Sequence, residues 1–383
     1  MELPIAKNPF LEPTPACEGR TPASPYDEQA RVFSRAFEVL ADAIALRAFP
    51  GASVAVTDNG KLVALNSFGR FTYEASSPEV EPHTVYDLAS LTKVVGATSM
   101  AMILYERGVL DLEMPVAGIL SEFRGDDSRR RRVTLRHLLA HCSGLPAYEK
   151  LFLHATTREE CLRAALTVPL KHDPGLCAEY SDIGFIVLGA ALEQIADEPL
   201  DRFCRREVFG PLGMSHTTYT PPASSKSKIP PTEEDRTFRR RIIQGEVQDE
   251  NASALGGVAA HAGLFANAAD LAAFAQAILD RSGPFTRPET VAVFTGRQTS
   301  PPGTTRALGW DTPSGLSQSG SYFSSSSFGH LGYTGTSLWI DAERRISVTL
   351  LTNRTWPDRS SQAIREVRRA FHDQVFEALG ARP

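Results

Sequence analysis

The chain reads as an α+β protein. An antiparallel sheet is built from both chain ends and flanked by helices, with a mostly helical domain inserted between the ends. Three observations predict this. Strand signals occur near residues 52–68 and again at 329–351, on either side of a long stretch whose apolar residues recur with helical spacing. A helical pattern lies outside the strands at each end. At 383 residues, with 42% hydrophobic and 22% charged side chains, the chain can bury a large core or two. The boundaries drawn from these patterns are a loose lead-in at 1–25, a discontinuous sheet domain at 26–88 plus 256–383, and a helical domain at 89–255.

The lead-in is rich in Pro, Thr and Glu. Met1 to Arg20 holds four prolines and three acids and no continuous apolar run, so it is not a signal peptide by pattern and the expected compartment is the cytoplasm. Val32, Phe33, Phe37, Leu40, Ile44 and Leu46 set a helical rhythm from Tyr26 to Phe49, which Pro50 and Gly51 end. Residues 52–57 and 62–68 flank Asp58-Asn59-Gly60-Lys61, a strong hairpin signal.

The stretch that organises the chain comes next. A helix is expected from about Ser90 to Arg107, with Ser90 in the capping position and Gly108 just past the last turn. From Leu91 to Leu104 the residues are apolar or small almost all the way round, which marks a buried helix. Ser90 and Lys93, three apart, share one face of its first turn. There, burial and the positive end of the dipole both disfavour a charged amine, so Lys93 can take the serine's proton and activate a nucleophile. A second Ser-x-x-Lys, Ser225 to Lys228, lies in a polar, proline-bracketed loop with no helix behind it and reads as chance.

Residues 109 to about 215 are helical with short loops. The run Arg129–Arg132 reads as a solvated loop. His137 and His141 have the i, i+4 spacing of a metal pair but no intervening carboxylate of the zincin type, and read as structural histidines near a helix end. A Thr-capped helix spans 156–166. Tyr180-Ser181-Asp182 precedes an apolar helix at 183–196. Ser181 or Asp182 can cap that helix while Tyr180 projects into a cleft; the two readings are compatible. Residues 219–250 form a polar insertion, and 268–279 another helix. The Ser-rich stretch 314–327 is read as exposed. Strands follow at 329–340 and 346–351, then a last helix at 360–379.

A net charge of −5 and a pI near 6.0 argue against nucleic acid or an anionic membrane as the main partner. No run is long enough to span a membrane. Five scattered cysteines, without metal spacing, read as reduced thiols. No cofactor or metal is called for, and nothing signals an oligomeric state.

Ser90-Leu-Thr-Lys93, Tyr180-Ser-Asp182 and His330-Leu-Gly332, in that order, resemble the three motifs of the serine β-lactamase and penicillin-binding protein superfamily. The Tyr-x-Asn-like second motif is nearest the class C β-lactamase-like branch, which includes esterases and D-amino-acid peptidases. The text around 137–146, 210–214, 257–265 and 351–354 is similar to that family as well, so the resemblance covers roughly residues 30 to 375. It implies a β-lactamase/transpeptidase-like fold and a serine hydrolase working through a Ser90 acyl-enzyme. Lys93 and Tyr180 would share proton transfer, Tyr180 being tyrosinate-like beside the ammonium. The N–H groups of Ser90 and Tyr333 would form the oxyanion hole, and Asp182, His330, Gly332 and Tyr333 would contact substrate. His330 takes the place usually held by Lys.

Two departures stand out. Leu331 replaces a Thr or Ser that helps hold a substrate carboxylate, and Asp182 replaces the usual Asn. Both weaken recognition of a C-terminal carboxylate and of a substrate amide, and are expected to leave the nucleophile machinery untouched. The substrate is then a small ester, amide or peptide, with an esterase-like activity preferred over a D-alanyl-D-alanine carboxypeptidase or β-lactamase. A non-catalytic penicillin or peptidoglycan-fragment sensor is the alternative of another class; a metal hydrolase using His137, His141 and His261 is a weaker one.

Overall fold

The computed structural model describes residues 28–315 and 317–380. The lead-in and Cys17 lie outside them. Five strands, here β1 (Gly51–Asp58), β2 (Lys61–Gly69), β3 (Phe328–Leu331), β4 (Ser337–Asp341) and β5 (Ile346–Thr352), form one antiparallel sheet in the order β2-β1-β5-β4-β3. Asn59 and Gly60 turn the first hairpin, both at positive φ, as an Asn-Gly pair of this kind requires. Ala52 pairs with Thr352 and Val54 with Leu350, so the two ends of the chain meet at the sheet's centre.

Alternation along the strands sorts their side chains between two cores. Val54, Val56, Trp339, Val348 and Leu350 face the helices Ser34–Ala45 and Ile364–Ala378, meeting Phe37, Leu40, Phe371 and Phe376. Ala55, Leu65, Leu338, Ile340 and Leu351 face the other way. There the helix Ala268–Asp280, capped by Asn267, lies on the sheet, and beyond it the helices of the chain's middle continue the same core. The last helix starts at Ile364 rather than Ser360.

Three expectations change. The stretch read as strand from 329 to 340 is two strands joined by a turn at Gly332–Thr336. The Ser-rich stretch is not simply exposed: Ser319 and Ser327 are buried, and Ser324 donates to the Asp341 carboxylate. The arginine run is not a solvated loop either. Arg130 is buried, donating to the carbonyls of Phe123, Leu166 and Val168, while Arg129 and Arg132 pair with Asp127 and Asp173. Cys142, Cys161, Cys177 and Cys204 are free thiols. Among the described residues, no helix is long and apolar enough to cross a membrane.

Candidate active site

The expected single helix from Ser90 is three segments: a 3₁₀ turn at Ala89–Leu91, a π-helical stretch at Lys93–Thr98, and an α-helix at Ser99–Glu106. Ser90 therefore caps nothing. It lies inside the first turn, and its neighbour Ala89 adopts φ +47°, a conformation that strains a residue with a Cβ. Surrounding bonds hold the turn in place. The Asp87 carboxylate accepts the N–H of Ala89 at 2.8 Å and that of Gln248 at 2.7 Å. Thr334 and Thr336 Oγ1 donate to the carbonyls of Asp87 and Leu88 at 2.8 and 2.9 Å. Those threonines belong to the turn between β3 and β4, so the sheet edge itself grips the nucleophile turn.

Gly332, in that same turn, is required by space. A Cβ there would lie 2.5 Å from the Leu88 carbonyl oxygen and closer still to Thr336 Oγ1. Neither Ser90 nor Tyr333 has a hydrogen-bond partner for its backbone N–H among the described residues. The Tyr333 side chain is exposed, its ring under the Arg354 guanidinium at 4.4 Å.

Ser90, Lys93 and Tyr180 converge although 90 residues separate the first from the last. Ser90 Oγ accepts from Lys93 Nζ at 2.9 Å and from the Tyr180 hydroxyl at 2.7 Å. Tyr180 is delivered by the loop before the helix Asp182–Ala196. The Ser181 side chain caps that helix by accepting the Gly184 N–H, so capping and projection of the tyrosine occur together. His141 Nδ1 accepts the Ser181 N–H at 3.0 Å, and its ring packs on Tyr180 and Phe185 at 4.6 and 4.9 Å. His141 is structural, as read, and it positions the tyrosine.

Asp182 turns its carboxylate onto Lys93, with Oδ1 2.6 Å from Nζ. Replacing the usual Asn thus reaches into the nucleophile machinery, contrary to the sequence reading. Lys93 is fully buried, and its third donor goes to the His261 carbonyl at 3.0 Å. Desolvation is the largest influence on this amine and lowers its pKa, but the opposing influences, the Asp182 carboxylate foremost, outweigh it and the net shift is upward. The neutral lysine expected from burial is not the resting form. Nor is Tyr180 tyrosinate-like: burial raises its pKa more than Lys93 lowers it.

His330 is buried in β3 with Nδ1 bonded to the Leu331 carbonyl at 2.8 Å, so Nδ1 carries the proton and Nε2 the lone pair. Burial, then Lys93 and Arg306, hold its pKa well below the usual histidine range, so the cation normally placed here by Lys is replaced by a neutral ring. His261 pairs with Asp249 through Nε2 at 2.8 Å, and His137 closes a capping box with Thr134. The three histidines weighed as metal ligands thus have separate partners.

These groups open on a cleft of about 750 Å³. Its lining includes Arg306, Arg354, Arg359, Arg365 and Arg368, none singled out from the sequence because they are scattered over 63 positions; Arg359 pairs with Glu233 and Glu250, and Arg306 faces Asp311. Arg368 is buried, donating to the carbonyls of Gly332 and Thr336 at 2.8 and 2.6 Å and to Gln318, with no carboxylate partner among the described residues. Arg306 lies 5.3 Å from the Tyr180 ring centre. The lining also carries acids, among them Asp182, Asp249, Glu250 and Asp311. Asp249 and Glu250 come from the end of the 219–250 insertion.

A model of the Beta-lactamase family matches residues 38–372. An N-acetylmuramyl-L-alanine amidase of Bacillus subtilis (strain 168) is 29% identical over 343 residues, covering 80% of this chain and 77% of that protein. A Salmonella agona (strain SL483) protein that carries the name of a D-alanyl-D-alanine carboxypeptidase is 30% identical over 347 residues, covering 80% of this chain and 79% of its own. Among solved structures, EstCE1, a hydrolase with promiscuous acyltransferase activity, superposes with a TM-score of 0.73 at 23% identity, covering 90% of this chain and 99% of that one. A class C β-lactamase from Rhodobacter sphaeroides gives 0.68 at 19% identity, covering 91% and 99%. At such identities the structural likenesses speak to the fold alone. With the family model spanning most of its length, the chain belongs to the Beta-lactamase family, serine hydrolases of the β-lactamase/transpeptidase type, and has their α+β fold.

Proposed function

We propose that this protein cleaves an amide bond in a small peptide-like substrate through a Ser90 acyl-enzyme, releasing a fragment that carries a carboxylate. The observation that carries the reading is the placing of the Ser90–Lys93–Tyr180 cluster, with Oγ in reach of both donors, on a cleft whose lining includes Arg354, Arg365 and Arg368, which have no carboxylate partner among the described residues. Ser90 attacks the carbonyl. Tyr180, bonded to Ser90 and stacked beside Lys93, relays the proton to the leaving nitrogen. The free N–H groups of Ser90 and Tyr333 stabilise the developing oxyanion. Gly332 brings β3 against the Ser90 turn, and His330 with Leu331 walls the cleft. The arginines supply the positive field for a carboxylate that Leu331, lacking a hydroxyl, does not. The curated relatives named as amidase and carboxypeptidase agree with this.

A second reading, ester hydrolysis, is favoured by Leu331 itself, which makes that wall of the cleft apolar. Intact-mass spectrometry tests both. The protein is mixed in turn with a fluorophosphonate, a p-nitrophenyl ester, a penicillin and an acyl-D-alanyl-D-alanine, with Ser90→Ala as control. Ser90-dependent adducts together with turnover of the dipeptide support the amide reading. Turnover of the ester alone selects the second. No Ser90-dependent adduct with any of the four refutes both and leaves a non-catalytic sensor.

A further inference from the structure

We propose that Asp182 is the proton store of the reaction: it takes a proton from Lys93 when substrate fills the cleft, and so turns the ammonium into the amine that Ser90 needs. The inference rests on the proposed acyl-enzyme and goes beyond it in assigning Asp182 a part in proton transfer.

In the resting site nothing can accept the serine's proton. The three protons of the Lys93 ammonium are directed at Ser90 Oγ, Asp182 Oδ1 and the His261 carbonyl, at 2.9, 2.6 and 3.0 Å. The amine therefore has no lone pair to offer. The Tyr180 hydroxyl is also a donor to Ser90. A base must be made, and the shortest bond in the cluster, Nζ to Asp182 Oδ1, is where it can be made with no movement of heavy atoms.

Environment supplies the reason. Lys93 is fully buried, whereas the Asp182 side chain is 21% exposed and lines the cleft. The exposed part of that side chain opens on the cleft, where a substrate would displace water. Displacing that water removes solvation from the ion pair, and a buried pair of opposite charges loses to its neutral tautomer as solvation is withdrawn. The proton passes from Nζ to Oδ1, giving an amine and a carboxylic acid. Rotation about the Cε–Nζ bond turns the amine's lone pair from Oδ1 towards Ser90 Oγ, where it takes the Ser90 proton as Oγ bonds to the substrate carbon and the carbonyl π pair moves to oxygen. When the tetrahedral intermediate collapses, Lys93 returns that proton through Tyr180 to the leaving nitrogen. Asp182 finally gives its own proton back, restoring the ion pair. An Asn at this position accepts hydrogen bonds but cannot take the proton.

The charged and titratable groups facing the pair come from every neighbouring element: Tyr180 ahead of it in sequence, Tyr148 and His141 from the preceding loops, Asp249 and Glu250 from the insertion, His261 behind Lys93, and Arg306 and His330 across the cleft. Among the described residues, Lys93 is the hydrogen-bond partner of the Asp182 side chain.

The test is the pH dependence of Ser90 labelling by a fluorophosphonate, followed by intact mass in the full-length protein, Asp182→Asn and Asp182→Glu. Asn fits the position, since the motif usually carries it. If Asp182 stores the proton, Asp182→Asn labels only where Lys93 is already neutral, so a limb set by the carboxylate is replaced by one set by Lys93 itself, about one unit or more higher; a limb moved to lower pH, from Lys93 losing the charge that raises it, overturns the assignment. Asp182→Glu keeps a carboxylate and keeps the wild-type limb. An Asp182→Asn profile lower in rate but unmoved in pH overturns the assignment and leaves Asp182 a structural contact. So does a loss confined to the alkaline side, which would mean that Ser90 needs the ammonium. Absence of Ser90 labelling in the wild type at every pH instead refutes the proposed function, and this assignment with it.

Discussion

Gly332 stands so close to Leu88 that a Cβ on it would come within 2.5 Å of the Leu88 carbonyl oxygen, the same oxygen that accepts from Thr336 Oγ1. Strand and nucleophile turn are therefore in backbone contact. Gly332→Ala must push them apart or displace Thr336, an overpacking strain of about 1–3 kcal/mol. We expect a lower melting temperature, an unchanged circular dichroism spectrum, and slower acylation of Ser90 by p-nitrophenyl acetate. An unaffected acylation rate would show that the turn holds its shape without this contact.

Tyr180→Phe keeps the ring that packs on His141 and removes only the hydroxyl on Ser90 Oγ. The rate of Ser90 acylation should fall by roughly 10²–10⁴-fold, the usual span for a lost acid–base group, with little change in stability. Single-turnover cleavage of an acyl-D-alanyl-D-alanine, whose leaving nitrogen must take up a proton, gives the comparison. A decrease under tenfold would remove Tyr180 from proton transfer.

Arg365 is exposed on the cleft rim, with no carboxylate partner among the described residues. Arg365→Ala should raise KM for an acyl dipeptide with a free carboxylate by about tenfold, the value of one hydrogen bond to a charged group, and leave p-nitrophenyl acetate kinetics alone. Equal effects on both substrates would argue against a carboxylate at this end.

Stability should fall as the solution is acidified below about pH 6.5. His141, His330 and His372 are buried, and burial holds each of them below the usual histidine value, His372 down to about 3. Their folded pKa values are depressed, so unfolding takes up protons once pH is below the unfolded value of about 6.5. Asp87 acts in the opposite sense. Burial raises it to about 6, so between there and its unfolded value the folded state holds the extra proton. Three protons against one leave a net uptake on unfolding, and the melting temperature should drop steadily from pH 6.5 to 4. His372→Gln, far from Ser90 in sequence and on the last helix, should make that slope shallower by about one proton, roughly 1.4 kcal/mol per pH unit. A flat wild-type profile would contradict the assignment of neutral histidines.

Much of this molecule could be read from local pattern. The Asn59-Gly60 hairpin, the Thr157 and Ser181 caps and the buried run from Leu91 to Leu104 depend on backbone preference and periodicity, which neighbouring residues alone express. The resemblance to the three family motifs grouped Tyr180 with Ser90 and Lys93, and in the structure both Lys93 and Tyr180 donate to Ser90 Oγ. What local pattern could not express was charge. Ser90-x-x-Lys93 suggested a neutral amine from burial alone, and only the fold revealed Asp182 2.6 Å from it, where opposite charge outweighs desolvation.

The same division runs through the rest of the site. The amino-acid sequence by itself determined the fold class and the sheet drawn from both chain ends, since these follow from periodicity, and its resemblance to the family's motifs pointed to Ser90, Lys93 and Tyr180. Tertiary structure alone decided that the Ser90 segment is a strained 3₁₀ turn passing into a π-helix, that Asp182 belongs to Lys93, and that five arginines scattered from 306 to 368 share one cleft. Electrostatic energy depends on distance and burial in space, and no spacing along the chain encodes either.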